Sequence, residues 1–301
     1  MAEQVELEVP AALDGARVDR AVAQLLEVSR ARAVLLWDER VTVGGKEVRP
    51  SDRVSTGDVI TCPRPEDMTS LVAEDVPFGV LYEDDDVVVV DKPAGMVVHP
   101  GSGRSTGTLA AGLIHRYPEV EGVGSNDRWG LVHRLDKDTS GTILVARTQG
   151  AFEKLVADLR RRNIGRVYLA LVEGSMGSPT GTIEAPIGRD PTRPTRRAVT
   201  HTGKHARTHY EVVRYFEMSD ATLIEVTLDT GRTHQIRVHL SAIGHPVAGD
   251  RTYGATRRDL NSPRTFLHAS RLEFDHPRTG DRISVKAPLP ADLAGVLDRL
   301  S

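Results

Sequence analysis

His133-Arg134-Leu135-Asp136-Lys137-Asp138-Thr139-Ser140-Gly141 runs directly into the apolar stretch Ile143-Leu144-Val145-Ala146. The apolar stretch reads as a buried strand, and Ser140-Gly141 marks a sharp turn at its entrance. A carboxylate, Asp136, therefore stands at the mouth of a strand between two cations, Arg134 and Lys137. Neighbouring positive charge favours the charged form of a carboxylate. In that form it works as a nucleophile or base, not as a proton donor. An isolated Asp in such a loop most often caps a turn or a helix, so the weight of the reading falls on the residues around it.

Working outward, Val87-Val88-Val89-Val90 reads as another buried strand, followed by Asp91-Lys92-Pro93-Ala94-Gly95-Met96-Val97-Val98-His99-Pro100, in which Pro93 and Gly95 set a turn. Residues 109–117 and 151–160 read as helices, the second with Phe152, Leu155, Val156 and Leu159 on one face. Residues 168–172, 210–213 and 223–228 read as strands. Many strands and few helices, without strict alternation, predict an α+β chain built on a mixed or antiparallel sheet. Two further motifs carry polar side chains. In Leu228-Asp229-Thr230-Gly231-Arg232-Thr233-His234-Gln235-Ile236-Arg237-Val238-His239, Thr233 is expected to cap a helix after Gly231, with His234 and Arg237 on one helical face. Arg232 and Arg237 can each grip a carboxylate or a phosphate with two hydrogen bonds. Gly165-Arg166-Val167-Tyr168-Leu169-Ala170 sets an aromatic residue in a strand, where a tyrosine is usually core. Leu267-His268-Ala269, Phe274 to Gly280, Gly244-His245-Pro246 and Gly249-Asp250 read as turns and sheet edges.

The N-terminal part differs in texture. Residues 5–9 alternate like a strand, 17–26 and 30–40 have helical spacing with Ser29 as a cap, and Gly44-Gly45 signals a tight hairpin between short strands, with Val54, Val59 and Ile60 continuing a small sheet. Pro63 to Asp67 reads as a linker.

With 301 residues the chain is long enough for two domains. A single cysteine, Cys62, rules out an internal disulfide and a multi-cysteine zinc site. No apolar run has membrane-spanning length, and the first residues lack signal-peptide character, so a cytoplasmic protein is expected. The net charge of -3 says little about nucleic acid, but residues 189–214 hold seven Lys or Arg and two acids, with His201, His205 and His209 among them. Such a stretch suits a polyanion or a solvated loop equally well. Residues 101–107 are glycine-rich but lack the ending of a phosphate loop. His234 and His239 lack metalloprotease spacing, and His99, His115 and His133 have no supporting cysteines, so no metal is expected.

Taken together, the Asp136, Tyr168 and Arg237 motifs and the segment 91–100 closely resemble those of the RluA family of pseudouridine synthases (ribosomal large-subunit type), which isomerise uridine to pseudouridine in RNA. Residues from about 15 to 62 resemble the RNA-binding domain named after ribosomal protein S4. The resemblance implies an RNA-binding domain over 1–63, a linker over 64–75 and a catalytic domain over 76–301, with a large mixed, mostly antiparallel sheet and a central cleft. It implies Asp136, Tyr168 and Arg237 as catalytic residues: Asp136 acts on the sugar, Arg237 is its basic partner, and Tyr168 packs on the uracil and accepts the C5 proton. Many family members carry Lys where this chain has Arg166, which keeps the charge. Arg134, His133, Arg232 and His234, with Arg17, Arg20, Arg30 and Arg32 of the N-terminal domain, are the expected RNA contacts. No cofactor is needed, because the reaction has no redox change and no net hydrolysis. The expected partner is RNA, 23S ribosomal RNA first and transfer RNA second, acted on by a monomer. Removal of Arg237 is expected to spare the fold. Two other classes meet the same residues less well: a base-releasing hydrolase, which would liberate free uracil, and a non-catalytic ribosome-binding factor, which would have no use for the catalytic set.

Overall fold

The computed structural model describes residues 4–26, 28, 33–34, 36–38, 40–63, 71–100, 106–124, 128–193, 196–254 and 260–300. They form two compact units, one up to Val72 and one from Ala73 onward.

In the first unit β1 (Gln4–Glu8), β2 (Thr42–Val43), β3 (Lys46–Glu47) and β4 (Val59–Pro63) form a sheet in the order β1-β4-β2-β3. Gly44 and Gly45 join β2 to β3 with φ of 55° and 77°, the double positive φ that a two-residue hairpin demands. Helix α1 (Val18–Leu25) buries Val18, Ala21 and Val22 against Ile60 and Cys62. Burial pushes the Cys62 thiol up to about 11, so it behaves as a small apolar side chain. Val54 is buried as expected but lies outside the strands, its N–H bonded to the Ala16 carbonyl. Of the helix expected over 30–40, Arg30 and Arg32 lie outside the described residues, as does Ser29, and Leu36–Asp38 is a 3-10 turn.

The second unit is organised by one large sheet. Its strands are β5 (Gly79–Glu83), β6 (Val87–Lys92), β7 (Ser140–Ala146), β8 (Gly165–Glu173), β9 (Thr180–Glu184), β12 (Arg207–Phe216), β13 (Ala221–Leu228), β14 (Leu267–Asp275) and β15 (Arg282–Lys286). The short strands β10 (Ile187–Arg189) and β11 (Arg197–Val199) pair separately. The order is β5-β6-β7-β14-β8-β13-β12-β9, with β15 also on β14. All pairings are antiparallel except β7 with β14. The fold is therefore the mixed, mostly antiparallel sheet expected, with a small N-terminal sheet beside it in sequence.

β14 decides where the site lies. β8 occupies one of its edges, from Leu267 to Glu273. The other edge is shared: β7 takes His268 and Ala269, and β15 takes Arg271 to Asp275. The approach of β7 is close. Gly141 has φ 110°, and a Cβ there would lie 2.2 Å from the Ala269 carbonyl oxygen, which leaves glycine as the residue that fits. Every residue of β7 is buried. Helix α2 (Leu109–Arg116) is capped by Thr108 and helix α3 (Gln149–Arg161) by Thr148, each side chain accepting from an alanine N–H three residues on, at 3.2 Å. Leu155 of α3 joins Val87, Leu144, Leu272 and Phe274 in one core cluster. Burying it stabilises by about 2 kcal/mol. Helix α4 (Gln235–Ala242) follows β13, and α5 (Ala291–Leu300) closes the chain.

Candidate active site

Asp136 sits in the loop that enters β7, and the loop is held by its own carbonyls. The Asp136 carbonyl accepts from Thr139 N–H at 3.1 Å. The Lys137 carbonyl accepts from Gly95 N–H at 2.9 Å and from Lys92 Nζ at 3.1 Å. The Asp138 carbonyl accepts from Arg264 Nη1 at 3.0 Å. Lys92 is fully buried and also donates to the carbonyls of Pro93 and Met96, so its three ammonium hydrogens meet three acceptors. Burial pushes its pKa down to about 7, opposed by the nearby carboxylates of Asp138 and Asp136. The 91–100 motif thus clamps the Asp136 loop through Lys92 and Gly95.

The carboxylate itself meets α4. Arg237 Nη1 donates to Asp136 Oδ2 at 3.1 Å, and His234 Nε2 lies 3.9 Å from Oδ1. Arg237 is held on its other side by Asp250, with Nε to Oδ2 at 2.6 Å and Nη2 to Oδ1 at 2.9 Å. The Asp250 side chain is 1% exposed and also accepts from the N–H groups of Thr252 and Tyr253. The Tyr253 ring lies under the Arg237 guanidinium, 5.0 Å from its carbon to the ring centre. One guanidinium thus faces two carboxylates: burial pulls its pKa down, and the hydrogen bonds and charge of Asp250 first, then of Asp136, drive it upward overall.

His234 differs from its expected place. It is the residue before α4, in a left-handed conformation with φ 59°, and neither it nor Thr233 caps the helix with a side chain. Gln235, the first residue of α4, turns back instead to the turn before it: its Oε1 accepts from Arg232 N–H at 3.0 Å and from Thr230 Oγ1 at 2.8 Å. Tyr253 Oη accepts from Arg197 N–H at 3.0 Å and lies 2.7 Å from His234 Nδ1. Donating its one hydrogen to Nδ1 leaves the proton of a neutral His234 on Nε2, facing Asp136. Burial lowers the His234 pKa, with Asp136 pulling the other way.

A cleft of about 580 Å³ opens beside this cluster. Asp136, Arg134, His133, Tyr168, Arg232, His234 and Arg237 all line it, so seven of the sequence-selected residues converge. Arg134 and Arg232 are exposed there; Arg232 Nε is tied to the His205 carbonyl at 3.0 Å, whereas Arg134 has no ion pair among the described residues. Tyr168 is 5% exposed. Burial raises its phenol pKa, Arg166 opposes and Asp136 adds to the rise. Tyr168 thus brings a largely buried aromatic ring to the lining of the cleft. His133 is also buried, and its Nε2 accepts from Leu144 N–H at 3.1 Å, which removes one of the two ring nitrogens from any RNA contact. Arg17 and Arg20 belong to the first unit, where they line a hollow of about 400 Å³ with Arg53.

The sequence reading passed over Asp250, Tyr253, Lys92 and Arg264 as functional groups. Gly249-Asp250 read as a mere turn, because nothing in the spacing announces that Asp250 returns to α4. Arg128, Arg160 and Arg162 also line the cleft and were not singled out. Among the described residues one trio, Asp84, Asp86 and His276, has the closeness of a metal site. Its groups are engaged with each other: His276 Nδ1 accepts from Arg278 and Thr279 N–H, its Nε2 faces Asp84 at 3.0 Å, and Arg278 neutralises Asp86 at 2.6 Å.

Four histidines around the site, His133, His234, His239 and His268, have pKa values lowered by burial first of all, His133 to about 3. A folded pKa below the unfolded value near 6.5 gives stability that is present above about pH 6.5 and lost as pH falls toward the folded pKa. Unfolding free energy is expected to fall between about pH 7.5 and about pH 4.5, with about 3 kcal/mol of the loss from His133 alone. Denaturant titrations of the wild type and His133→Gln check it; equal pH dependence in both would exclude His133 as a source.

A carboxylate fixed by an arginine thus stands beside a buried aromatic ring in one open cleft, an arrangement able to act on a sugar carbon while a flat base is held nearby. The sequence model described as RNA pseudouridylate synthase matches residues 86–242, and the chain belongs to this family of enzymes. It is 42% identical over 301 residues to an uncharacterized RNA pseudouridine synthase of Bacillus subtilis, covering 99% of this chain and 98% of the relative. It is 44% identical over 308 residues to ribosomal large subunit pseudouridine synthase D of Nitrosomonas europaea, covering 98% and 88%. The solved structure of human RNA pseudouridylate synthase domain containing 1 superposes with a TM-score of 0.57 at 28% identity, over 75% of this chain and 96% of that one. Among the described residues no helix is long and apolar enough to cross a membrane.

Proposed function

We propose that this synthase acts on 23S ribosomal RNA, with Asp136 as the group that attacks the ribose or removes its C2′ proton. The observation that carries the reading is the Asp136–Arg237 pair at 3.1 Å in the cleft that Tyr168 also lines. The target base must leave its stack to reach such a cleft. Arg134, exposed and without an ion pair among the described residues, is suited to fill the vacated space or to hold a phosphate. Arg237, locked by Asp250, holds the carboxylate in one orientation. The Tyr168 ring keeps the detached uracil against the sugar so that it turns and reattaches through C5. Several relatives that match nearly the whole chain at 42–44% identity are named ribosomal large subunit pseudouridine synthase D, which supports the substrate. The N-terminal unit fits an RNA-holding role: Arg20 is exposed on α1, and Arg17 beside it is ion-paired with Asp19 at 3.0 Å.

Mapping pseudouridine in ribosomal and transfer RNA from cells lacking the protein tests the proposal. The expected result is loss at defined positions of large-subunit RNA, restored by the wild-type gene. Loss confined to transfer RNA would overturn the substrate, and no loss in either RNA would overturn the reading.

A further inference from the structure

Arg166 is a cation that the reading above leaves without a task. It is 7% exposed, on β8 two residues from Tyr168 and so on the same face of the strand, and it lines the same cleft. Its Nη2 donates to the Leu228 carbonyl at 3.2 Å, while its Nε has no hydrogen-bond partner among the described residues. No carboxylate lies within ion-pairing distance of it among those residues. Asp229, which acts on it electrostatically, faces Arg162, Arg207 and His209 at 3.3 to 3.7 Å instead. Gly231 leaves the room this side chain occupies, since a Cβ there would stand 2.8 Å from Arg166 Nη1. His133, which also lines the cleft, has its Nδ1 without a partner too.

A buried guanidinium with no counter-charge is costly unless something negative arrives to meet it. Arg237, half-buried in the same cleft, already faces two carboxylates and has no charge to spare. The reaction supplies what Arg166 lacks. When C1′ parts from N1, by attack of Asp136 on C1′ or by loss of the C2′ proton to Asp136, the bonding electron pair leaves with the uracil. The base is then an anion, its charge shared between N1 and the carbonyl oxygens. When C5 bonds to C1′, the Asp136–C1′ bond breaks and the charge returns to the carboxylate in the first route, or Asp136 gives the proton back to C2′ in the second. The C5 proton then leaves and N1 takes up a proton, so that the base is neutral again. No oxidant or co-reactant is involved.

We propose that the Arg166 guanidinium is a catalytic residue that takes up the negative charge of the detached uracil by donating its free N–H groups to a uracil carbonyl oxygen. The inference rests on the active-site reading above, and it holds for both routes open to Asp136. It also accounts for retention of the base: an anion paired with a buried cation against the Tyr168 ring does not diffuse out while it turns.

The test compares single-turnover consumption of the target nucleoside by the wild type and Arg166→Met, in RNA carrying uridine or 5-fluorouridine at the target. Fluorine withdraws electrons and makes the departing base a weaker base, so it depends less on outside stabilisation. Loss of one preorganised donor to a developing anion costs about 10²–10³ in rate, so Arg166→Met is expected to fall by that factor on uridine and by at least about tenfold less on 5-fluorouridine. RNA affinity is expected to stay within about threefold, since the group meets charge that arises only during reaction. An equal fall on both substrates overturns the proposal. Arg166→Lys keeps a cation in the site and is expected to fall less than about tenfold. A folded Arg166→Lys that falls as far as about 10³ on both substrates overturns it even if the methionine variant does not fold. A wild-type chain that converts no uridine in any RNA sinks the active-site reading, a result distinct from wild-type activity with indifferent Arg166 variants.

Discussion

Asp136→Asn yields a folded chain that binds RNA and forms no pseudouridine, with turnover down by at least about 10⁴. The amide has the shape of the carboxylate and still offers an oxygen to Arg237 Nη1, but it can neither attack C1′ nor hold a proton from C2′. The fold survives because Arg237 keeps its two hydrogen bonds to Asp250, and because the loop is held by the carbonyls of residues 136, 137 and 138, which the exchange does not touch. Conversion of a uridine-containing RNA measured beside an affinity titration checks both halves. Turnover within tenfold of wild type would remove Asp136 from the chemistry; a loss of affinity to match the loss of turnover would make it a binding residue.

Arg237→Met has the second large effect, and it acts on stability as well as rate. The expectation from sequence was that the fold would be spared. The structure adds a cost to that expectation: the exchange strands Asp250, whose side chain is 1% exposed, as well as Asp136. Removing one partner of a buried ion pair costs about 3–5 kcal/mol. A denaturation curve should show that loss alongside nearly complete loss of turnover. The double variant Arg237→Met, Asp250→Asn separates the two effects. Neutralising the stranded carboxylate should restore part of the stability and none of the activity. Recovery of activity in the double variant would show that Arg237 serves only to neutralise Asp250.

Legibility in the sequence followed the range of the interactions. Strands β6, β7, β8 and β13 are visible as apolar runs because they are buried on the sheet, and the Gly44-Gly45 hairpin because its φ angles admit little else. Asp136 and Arg237 are readable as parts of motifs, although 101 positions separate them. What holds Arg237 on its far side was not readable. Asp250 looks like any turn aspartate, and its grip on Arg237 depends on where the 249–253 turn lands after α4. The cap of α4 was misplaced for a related reason. Gln235 is held by β12, its Nε2 donating to the Arg207 carbonyl and to Thr208 Oγ1, a tertiary fit that the local propensity favouring Thr233 does not contain. Arg166 presents the converse case. Its charge was plain, but that it is buried and without a carboxylate is a property of the folded sheet.

The place of β14 bears on when the enzyme comes into being. Its residues, Leu267–Asp275, come after those of β5 to β13 in the chain, yet they form the middle of the sheet between β7 and β8. Until they emerge, β5-β6-β7 and β8-β13-β12-β9 can only assemble as separate halves, with Asp136 on one and Tyr168 on the other. Joining them closes long loops, a slow step in folding. A growing chain that has not yet released β14 therefore carries the pieces of the site apart, and the ability to modify RNA waits on that one strand.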